Sequence, residues 1–387
     1  MTYGVVFGLA ATIVLAVGCD LASAPGAGRK TGPLSVGRNA RENSNRPTNM
    51  GEPRPFIRIL HLGNTANVPR TLANYQKQMG HAARVIAVQT DAFKGEADEI
   101  LSGSGPLGWN LAMRRLRVEW QEIEAIHVHG GIWLSQLYYY RLRARARKSA
   151  WVVHLHGSET RSGKGLHHLR LADAILCSTP DLRRFVPAAQ WLPNPVGVPD
   201  EIPSRTAGDR TVIGHFPSDR RVKGTDHILD ALVEVFGPPE ERVQEAPRTL
   251  RWSWKEVDFL LADGVSHATV LRLIETCDAV VDHLSTLGPV GLVSLEAMAR
   301  GRAALSSYDT SAYPADCPVI PLTFANVHKL LGEIVADRQG IMSAGRAGRT
   351  YVQRHHSPNE IARKSISIYQ ATSLTRTDHA RDEFSMR

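Results

Sequence analysis

Short apolar runs recur along the chain, separated by stretches too long for tight hairpins. Ile57 to Leu62, Arg84 to Val88, Ala125 to Val128, Trp151 to Leu155 and Ala174 to Cys177 are each four to six residues long and lack strict polar alternation. Such runs read as strands buried on both faces, and the intervening lengths suit helical crossovers between parallel strands. The first run is followed by the loop Gly63-Asn64-Thr65-Ala66-Asn67 and a helical stretch from about Pro69 to Met79. Pro193-Asn194-Pro195 through Gly208 then concentrates Pro, Gly and Asp, which suits a connection and neither a helix nor a strand. A second cycle follows: a strand at Val212 to Gly214, a helix from His227 to Val235 and a strand at Ala279 to Val281. Next come a helix from Leu292 to Arg300 stopped by Gly301, and a strand at Ala303 to Ser306. A last helical stretch runs from Pro358 to about Ala371. The pattern predicts an α/β protein made of two doubly wound, Rossmann-like domains facing a cleft, with ligands at the carboxyl ends of the strands.

At 387 residues the chain exceeds what one core usually organises, in agreement with two domains. Hydrophobic residues at 43% and charged residues at 22% exclude a fibrous or disordered bulk. Lys and Arg outnumber Asp and Glu by 46 to 38, and a net charge of +8 suits anionic partners. Basic residues interleaved with aromatics are missing, so nucleic acid is excluded as the partner. The cluster Arg141, Arg143, Arg145, Arg147 and Lys148 spreads around a helix and reads as a solvated surface; beside Trp133 and Tyr138 to Tyr140, peripheral membrane contact is the secondary reading. Cys19, Cys177, Cys277 and Cys317 show no pairing pattern, which fits a reducing, cytoplasmic setting.

The apolar run Val5 to Gly18 is short for a membrane span and has no basic residue before it, although its end at Cys19 loosely resembles a lipoprotein cleavage box. From Asp20 to Pro55 the composition is rich in Gly, Pro, Ser, Asn and Arg. Residues 1–55 are therefore expected to be disordered, or an over-extended gene start with Met50 as the true beginning, in preference to a membrane anchor.

Candidate chemistry sits where strands end. Small residues at Gly63 to Asn67 would let the backbone approach an anion at a helix N-terminus, although GxGxxG is absent. Phe216 to Thr225 places Arg220, Arg221 and Lys223 after the first strand of the second half, cations suited to a diphosphate. The pairs His127/His129 and His154/His156 invite a zinc hypothesis, but each ends its own strand with no Cys or third partner at ligand spacing, so no metal is expected.

The stretch Gly288-Pro289-Val290-Gly291-Leu292-Val293-Ser294-Leu295-Glu296-Ala297-Met298-Ala299-Arg300-Gly301 resembles the hallmark of the retaining GT-B glycosyltransferases of the glycogen-synthase and mannosyltransferase-like type, the group 1 glycosyl transferases. That hallmark reads roughly Glu-Pro-Phe-Gly-Leu-x-x-x-Glu-Ala-Met-Ala-x-Gly. Asn64 to Pro69, His127 to Gly130, His154 to Glu159 and Ser178 to Leu182 resemble the same family. The first motif glutamate is replaced by Gly288 and the aromatic by Val290, although Leu287 to Gly291 is similar to a subgroup with Leu-Gly-x-x-Gly.

The resemblance implies a metal-independent hexosyltransferase without a cofactor, its substrates a nucleotide-sugar donor and an acceptor hydroxyl, in cell-envelope or polysaccharide biosynthesis. It implies an acceptor-side domain over 56–200, a nucleotide-sugar domain over 209–357 and a helix over 358–372 crossing back to the first. It assigns ribose binding to Glu296 and sugar or phosphate contacts to the backbone of Gly291, Leu292 and Val293. Arg220 and Lys223 take the diphosphate, with Arg221 in reserve. His156 serves the acceptor side, Asn64, Ala66 and Asn67 line the donor loop, and His127 and His129 are structural or acceptor-cleft residues. An epimerase of the same architecture, a silent sugar-nucleotide binder and a membrane-bound scaffold are the alternatives.

Overall fold

A computed structural model describes residues 56–88, 97–102, 105–115, 118–130, 135–163, 166–203 and 210–385. The readings made for residues 1–55 and for Trp133 lie outside them.

The first half opens with strand β1 (Arg58–Leu62), helix α1 (Val68–Gln78) and strands β2 (Ala82–Val88) and β3 (Glu99–Leu101). Helix α2 (Gly105–Arg115), β4 (Ala125–His129), α3 (Gln136–Arg145), β5 (Ala150–Leu155), the single turn α4 (Ser158–Arg161), β6 (Ala174–Cys177) and β7 (Gln190–Trp191) follow. They form a parallel sheet in the order β3-β2-β1-β4-β5-β6-β7. The order reverses at β1 and β4, and such a switch point leaves a crevice outside the strand ends.

The second half comprises β8 (Thr211–His215), α5 (Arg220–Lys223), α6 (Thr225–Phe236), β9 (Glu241–Ala246), β10 (Thr249–Ser253), β11 (Val257–Ala262) and α7 (His267–Thr276). It continues with β12 (Ala279–Gly288), α8 (Leu292–Ala299), β13 (Ala303–Tyr308), β14 (Ile320–Pro321), α9 (Val327–Ala336), α10 (Arg338–His355) and α11 (Pro358–Ser385). Its sheet runs β14-β13-β12-β8-β11-β10-β9, with its switch point at β8 and β12. The molecule is thus an α/β protein with two doubly wound sheets.

The apolar runs became central strands because both their faces are covered. Leu60, Ile126, Trp151 and Val153 pack on one side of the first sheet. Ile59, Ala125 and Val152 pack on the other, against Ile361, Ile366 and Tyr369 of α11. The final helix therefore packs on the first sheet although it follows the second, and it continues to Ser385, past the predicted end near Ala371.

Strands β9 and β10 were not read from the sequence. They pair antiparallel at the sheet edge, where β9 is exposed throughout and carries no apolar signature. Of the aromatics in the membrane-contact reading, Tyr138 and Tyr139 are buried in the core while Tyr140 stays exposed, and Arg143 pairs with Asp173 at 2.6 Å. Cys177, Cys277 and Cys317 are free thiols. Among the described residues no helix is long and apolar enough to cross a membrane.

The Pro-rich connection is held at three points among its described residues, Gly208 and the four residues before it lying outside them. The Val196 amide donates to the His356 carbonyl at 2.9 Å, His356 Nδ1 donates to the Asn194 carbonyl at 2.8 Å, and Arg302 donates to the Pro203 carbonyl at 2.6 Å.

Candidate functional site at the strand ends

The β8–β12 switch point gathers the second half's candidate residues. Strand β8 ends in buried His215, whose Nδ1–H donates to the Val281 carbonyl at 2.8 Å and whose Nε2 accepts from the Thr225 hydroxyl at 2.9 Å. These bonds fix its tautomer and tie β8 to β12 and α6, and burial holds its pKa down at about 4. The chain then turns through Asp219, whose carboxylate caps α5 by accepting from the amides of Arg221 and Val222. Gly224 ends α5 with φ of 69°, and a Cβ there would lie 2.0 Å from the Leu284 carbonyl. Only glycine lets this turn approach β12 so closely.

That approach puts Lys223 Nζ 2.6 Å from Asp282 Oδ1. Asp282 Oδ2 accepts from the Gly291 amide and the Ser294 hydroxyl, each at 3.0 Å. Burial alone would raise the Asp282 carboxyl, but the Lys223 ammonium and His283 hold it far below the usual carboxylate range. One carboxylate therefore joins the cation after β8 to the glycine turn that starts α8. Leu292 and Val293 open that helix, where backbone amides point outward.

Glu296, one turn further along α8, is mostly buried, and its Oε1 accepts from His267 Nε2 at 2.6 Å. The bond to Glu296 raises the His267 pKa. Arg220 turns toward Asp263 at 2.5 Å, and Asp263 and His267 both lie on the segment running from β11 into α7. Arg220 and Lys223 thus follow β8, Gly291 and Glu296 follow the neighbouring β12, and their partners Asp263 and His267 follow β11 on the other side of β8. Arg221 is exposed on α5.

Gly288 is enclosed. A Cβ there would lie 2.2 Å from His283 Nε2, and the His283 ring is buried and bonded through Nδ1 to the Ser306 hydroxyl at 3.0 Å. A glutamate cannot stand at this position with His283 as placed. Val290 packs into the core, and its amide donates to Tyr313 Oη at 2.9 Å.

In the first half, the loop after β1 is backbone-strained: Gly63, Ala66 and Asn67 all have positive φ, and for Ala66 that is uncommon. Buried Asn64 holds the loop by accepting from the Arg70 amide at 3.3 Å and donating to Asn67 Oδ1 at 3.2 Å. His156 follows β5; its amide donates to Glu159 Oε1 at 2.8 Å and its Nε2 lies 3.0 Å from His129 Nδ1. The two His-x-His pairs, read as separate, lie side by side because β4 pairs with β5, and His61 on β1 adds a further imidazole. Contrary to the expectation from spacing, a third imidazole does lie within ligand reach, because strand pairing brings together residues remote in sequence. The halves meet where Arg184 pairs with Asp309.

No known family model matches the chain, and no curated protein is similar to it in sequence. Solved structures are similar in fold. HepE from Anabaena in complex with UDP and glucose shares 15% identity at a TM-score of 0.56, over 81% of this chain and 100% of that one. A glycosyltransferase from Rickettsia africae shares 12% at 0.55, over 82% and 98%. Sucrose-phosphate synthase from Thermosynechococcus elongatus shares 13% at 0.52, over 85% and 100%. The fold is GT-B. In open α/β sheets generally, ligands bind in the crevice outside the strand ends at the switch point, which here falls at β8–β12 and at β1–β4.

Sequence reasoning missed Asp282, His215, His267 and His61. Asp282 had a visible signal, since an acid in the run Ala-Val-Val-Asp-His is hard to bury without a partner.

Proposed function

We propose that the chain is a retaining glycosyltransferase that takes its sugar from a nucleotide-sugar donor. The observation that carries this reading is the Lys223–Asp282–Gly291 linkage, which couples a cation to a helix N-terminus at a GT-B switch point. Such a place suits a diphosphate, and solved GT-B structures of this shape hold UDP and UDP-glucose.

In this reading Lys223 and Arg220 stabilise charge on the departing phosphate, and the amides of Leu292 and Val293 contact phosphate or sugar, the Gly291 amide being taken up by Asp282. The Glu296 carboxylate accepts from the ribose hydroxyls, with Asn64, Ala66 and Asn67 lining the donor from the first half. The acceptor hydroxyl approaches beside His156. The bond from the anomeric carbon to the phosphate oxygen breaks as the bond to the acceptor oxygen forms on the same face, and the acceptor proton passes to the departing phosphate. No metal ion takes part in this step.

Thermal unfolding in the presence of a panel of nucleotide sugars tests the reading. A bound donor at about a hundred times its Kd adds roughly 2.7 kcal/mol of native-state stability. One nucleotide class should raise the melting temperature, and Lys223→Ala and Glu296→Ala should abolish the rise. A panel without any stabilising nucleotide sinks the proposal. A silent nucleotide-sugar binder is the second reading, favoured by the space His283 takes beside Gly288; donor binding without turnover or hydrolysis would select it.

A further inference from the structure

One face of the first sheet changes character along its strands. Toward their starts it carries Ile59, Ala125 and Val152, packed under α1 and α11. Toward their ends the same face carries His61, His127, His129 and His154, because His61 pairs with His127 and His129 with His154 in parallel register. All four rings are buried, and His156 adjoins them.

Three of these rings face one another. His61, His127 and His129 each offer a ring nitrogen, and the three nitrogens lie within 4.8 Å of one another. His61 Nδ1 and His129 Nε2 are 3.0 Å apart, close to the roughly 3.3 Å that separates ligands on a tetrahedral zinc ion. Each ring is also held from outside. His61 Nε2 meets Gln76 Oε1 at 2.8 Å, His127 Nδ1 meets Tyr369 Oη at 2.6 Å, and His129 Nδ1 meets His156 Nε2 at 3.0 Å. Gln76 is itself oriented, donating to Ser365 Oγ at 3.0 Å. Gln76 Oε1 can only accept, so His61 carries its proton on Nε2 and presents the Nδ1 lone pair inward.

His127 Nε2 is fully buried and has no hydrogen-bond partner. Leaving a buried polar nitrogen unmatched costs on the order of 1–3 kcal/mol.

We propose that His61 Nδ1, His127 Nε2 and His129 Nε2 bind one zinc ion, with Gln76, Tyr369 and His156 as the outer partners that set the ligand tautomers. A set made only of imidazoles selects zinc or its late first-row neighbours over magnesium or calcium, which prefer oxygen. The site belongs to the first sheet and is separate from the diphosphate chemistry of the second. It ties β1 and β4 to α1 and α11, and through His129 it orients His156.

The test uses full-length protein without a polyhistidine tag, stripped by chelator and titrated with zinc and with cobalt. Zinc should bind at about one equivalent and raise the melting temperature, and the cobalt form should show the visible absorption of a four- or five-coordinate ion. His61→Gln and His127→Phe should each lose that absorption, and His154→Gln should keep it. Gln76→Leu, which spares the ligands, should weaken zinc by about tenfold or more. Zinc uptake below roughly a tenth of an equivalent overturns the proposal, leaving the imidazoles as a hydrogen-bonded network. So does binding that survives in His61→Gln and His127→Phe, or binding lost only in His154→Gln, which would move the ion to the neighbouring trio His129, His154 and His156. If a ligand variant fails to fold, zinc stoichiometry and the cobalt spectrum of the unaltered chain, together with Gln76→Leu, decide the matter.

Discussion

Lys223 Nζ and Asp282 Oδ1 lie 2.6 Å apart, although 59 positions separate the residues in the chain. Asp282 is almost wholly buried and spends its second oxygen on the Gly291 amide and the Ser294 hydroxyl. The cation is therefore stationed by a carboxylate that also sets the start of α8. Removing one partner of such a pair costs more than removing both, because an unmatched buried charge is left behind.

Asp282→Asn and Lys223→Met should each destabilise the chain by on the order of 3 kcal/mol, read from urea unfolding. The double variant should recover a clear part of that loss. It should not recover donor binding measured by calorimetry, because the cation for the diphosphate is gone. Equal stability losses that simply add would remove the claimed coupling.

Gly288→Ala should cost about 1–3 kcal/mol, since the new methyl group must displace His283 and break its bond to Ser306. In a His283→Ala background the same substitution should cost much less. If the two costs are equal, His283 is not what keeps position 288 a glycine.

His215 gives a pH dependence of definite sign. The unfolded chain takes up a proton near pH 6.5, whereas burial keeps the folded histidine neutral until about pH 4. Between those values the unfolded state binds more protons, so stability rises with pH, by up to about 1.4 kcal/mol per pH unit for this one group. Unfolding free energies measured from pH 4.5 to 7 should show a shallower slope in His215→Gln, whatever its absolute stability. An unchanged slope would mean that His215 titrates normally.

His267 has the opposite shift. Its bond to Glu296 favours the charged imidazole, so the pair's contribution is complete below pH 6.5 and fades as pH rises through the raised folded value. His267 is substantially exposed, which limits the effect on stability to less than about 1 kcal/mol. Donor affinity should be the more sensitive readout. If Glu296 accepts from the ribose, binding should strengthen as His267 loses its proton, and His267→Gln should flatten that dependence. A donor affinity independent of pH in the native chain would contradict the role given to Glu296.

The two sheets could be anticipated because the signals that specify them are local. A buried parallel strand needs a short apolar run, a helix stop needs its glycine, and a connection between halves tolerates Pro; Val152, Gly301 and Pro195 each carry their message within a few neighbours. The GT-B likeness could be read for the same reason, since Gly291 to Gly301 is contiguous. The exposed strand β9 left no mark, because nothing forces an edge strand to be apolar.

The chemistry of the rims came from pairings across distance. Lys223 with Asp282, His267 with Glu296 and His61 with His129 are contacts between residues 59, 29 and 68 positions apart, made by strand order and register. One residue of slip would turn His61 to the opposite face and dissolve its cluster. Charge and imidazole were visible along the chain, but a partner's identity is a property of folded space.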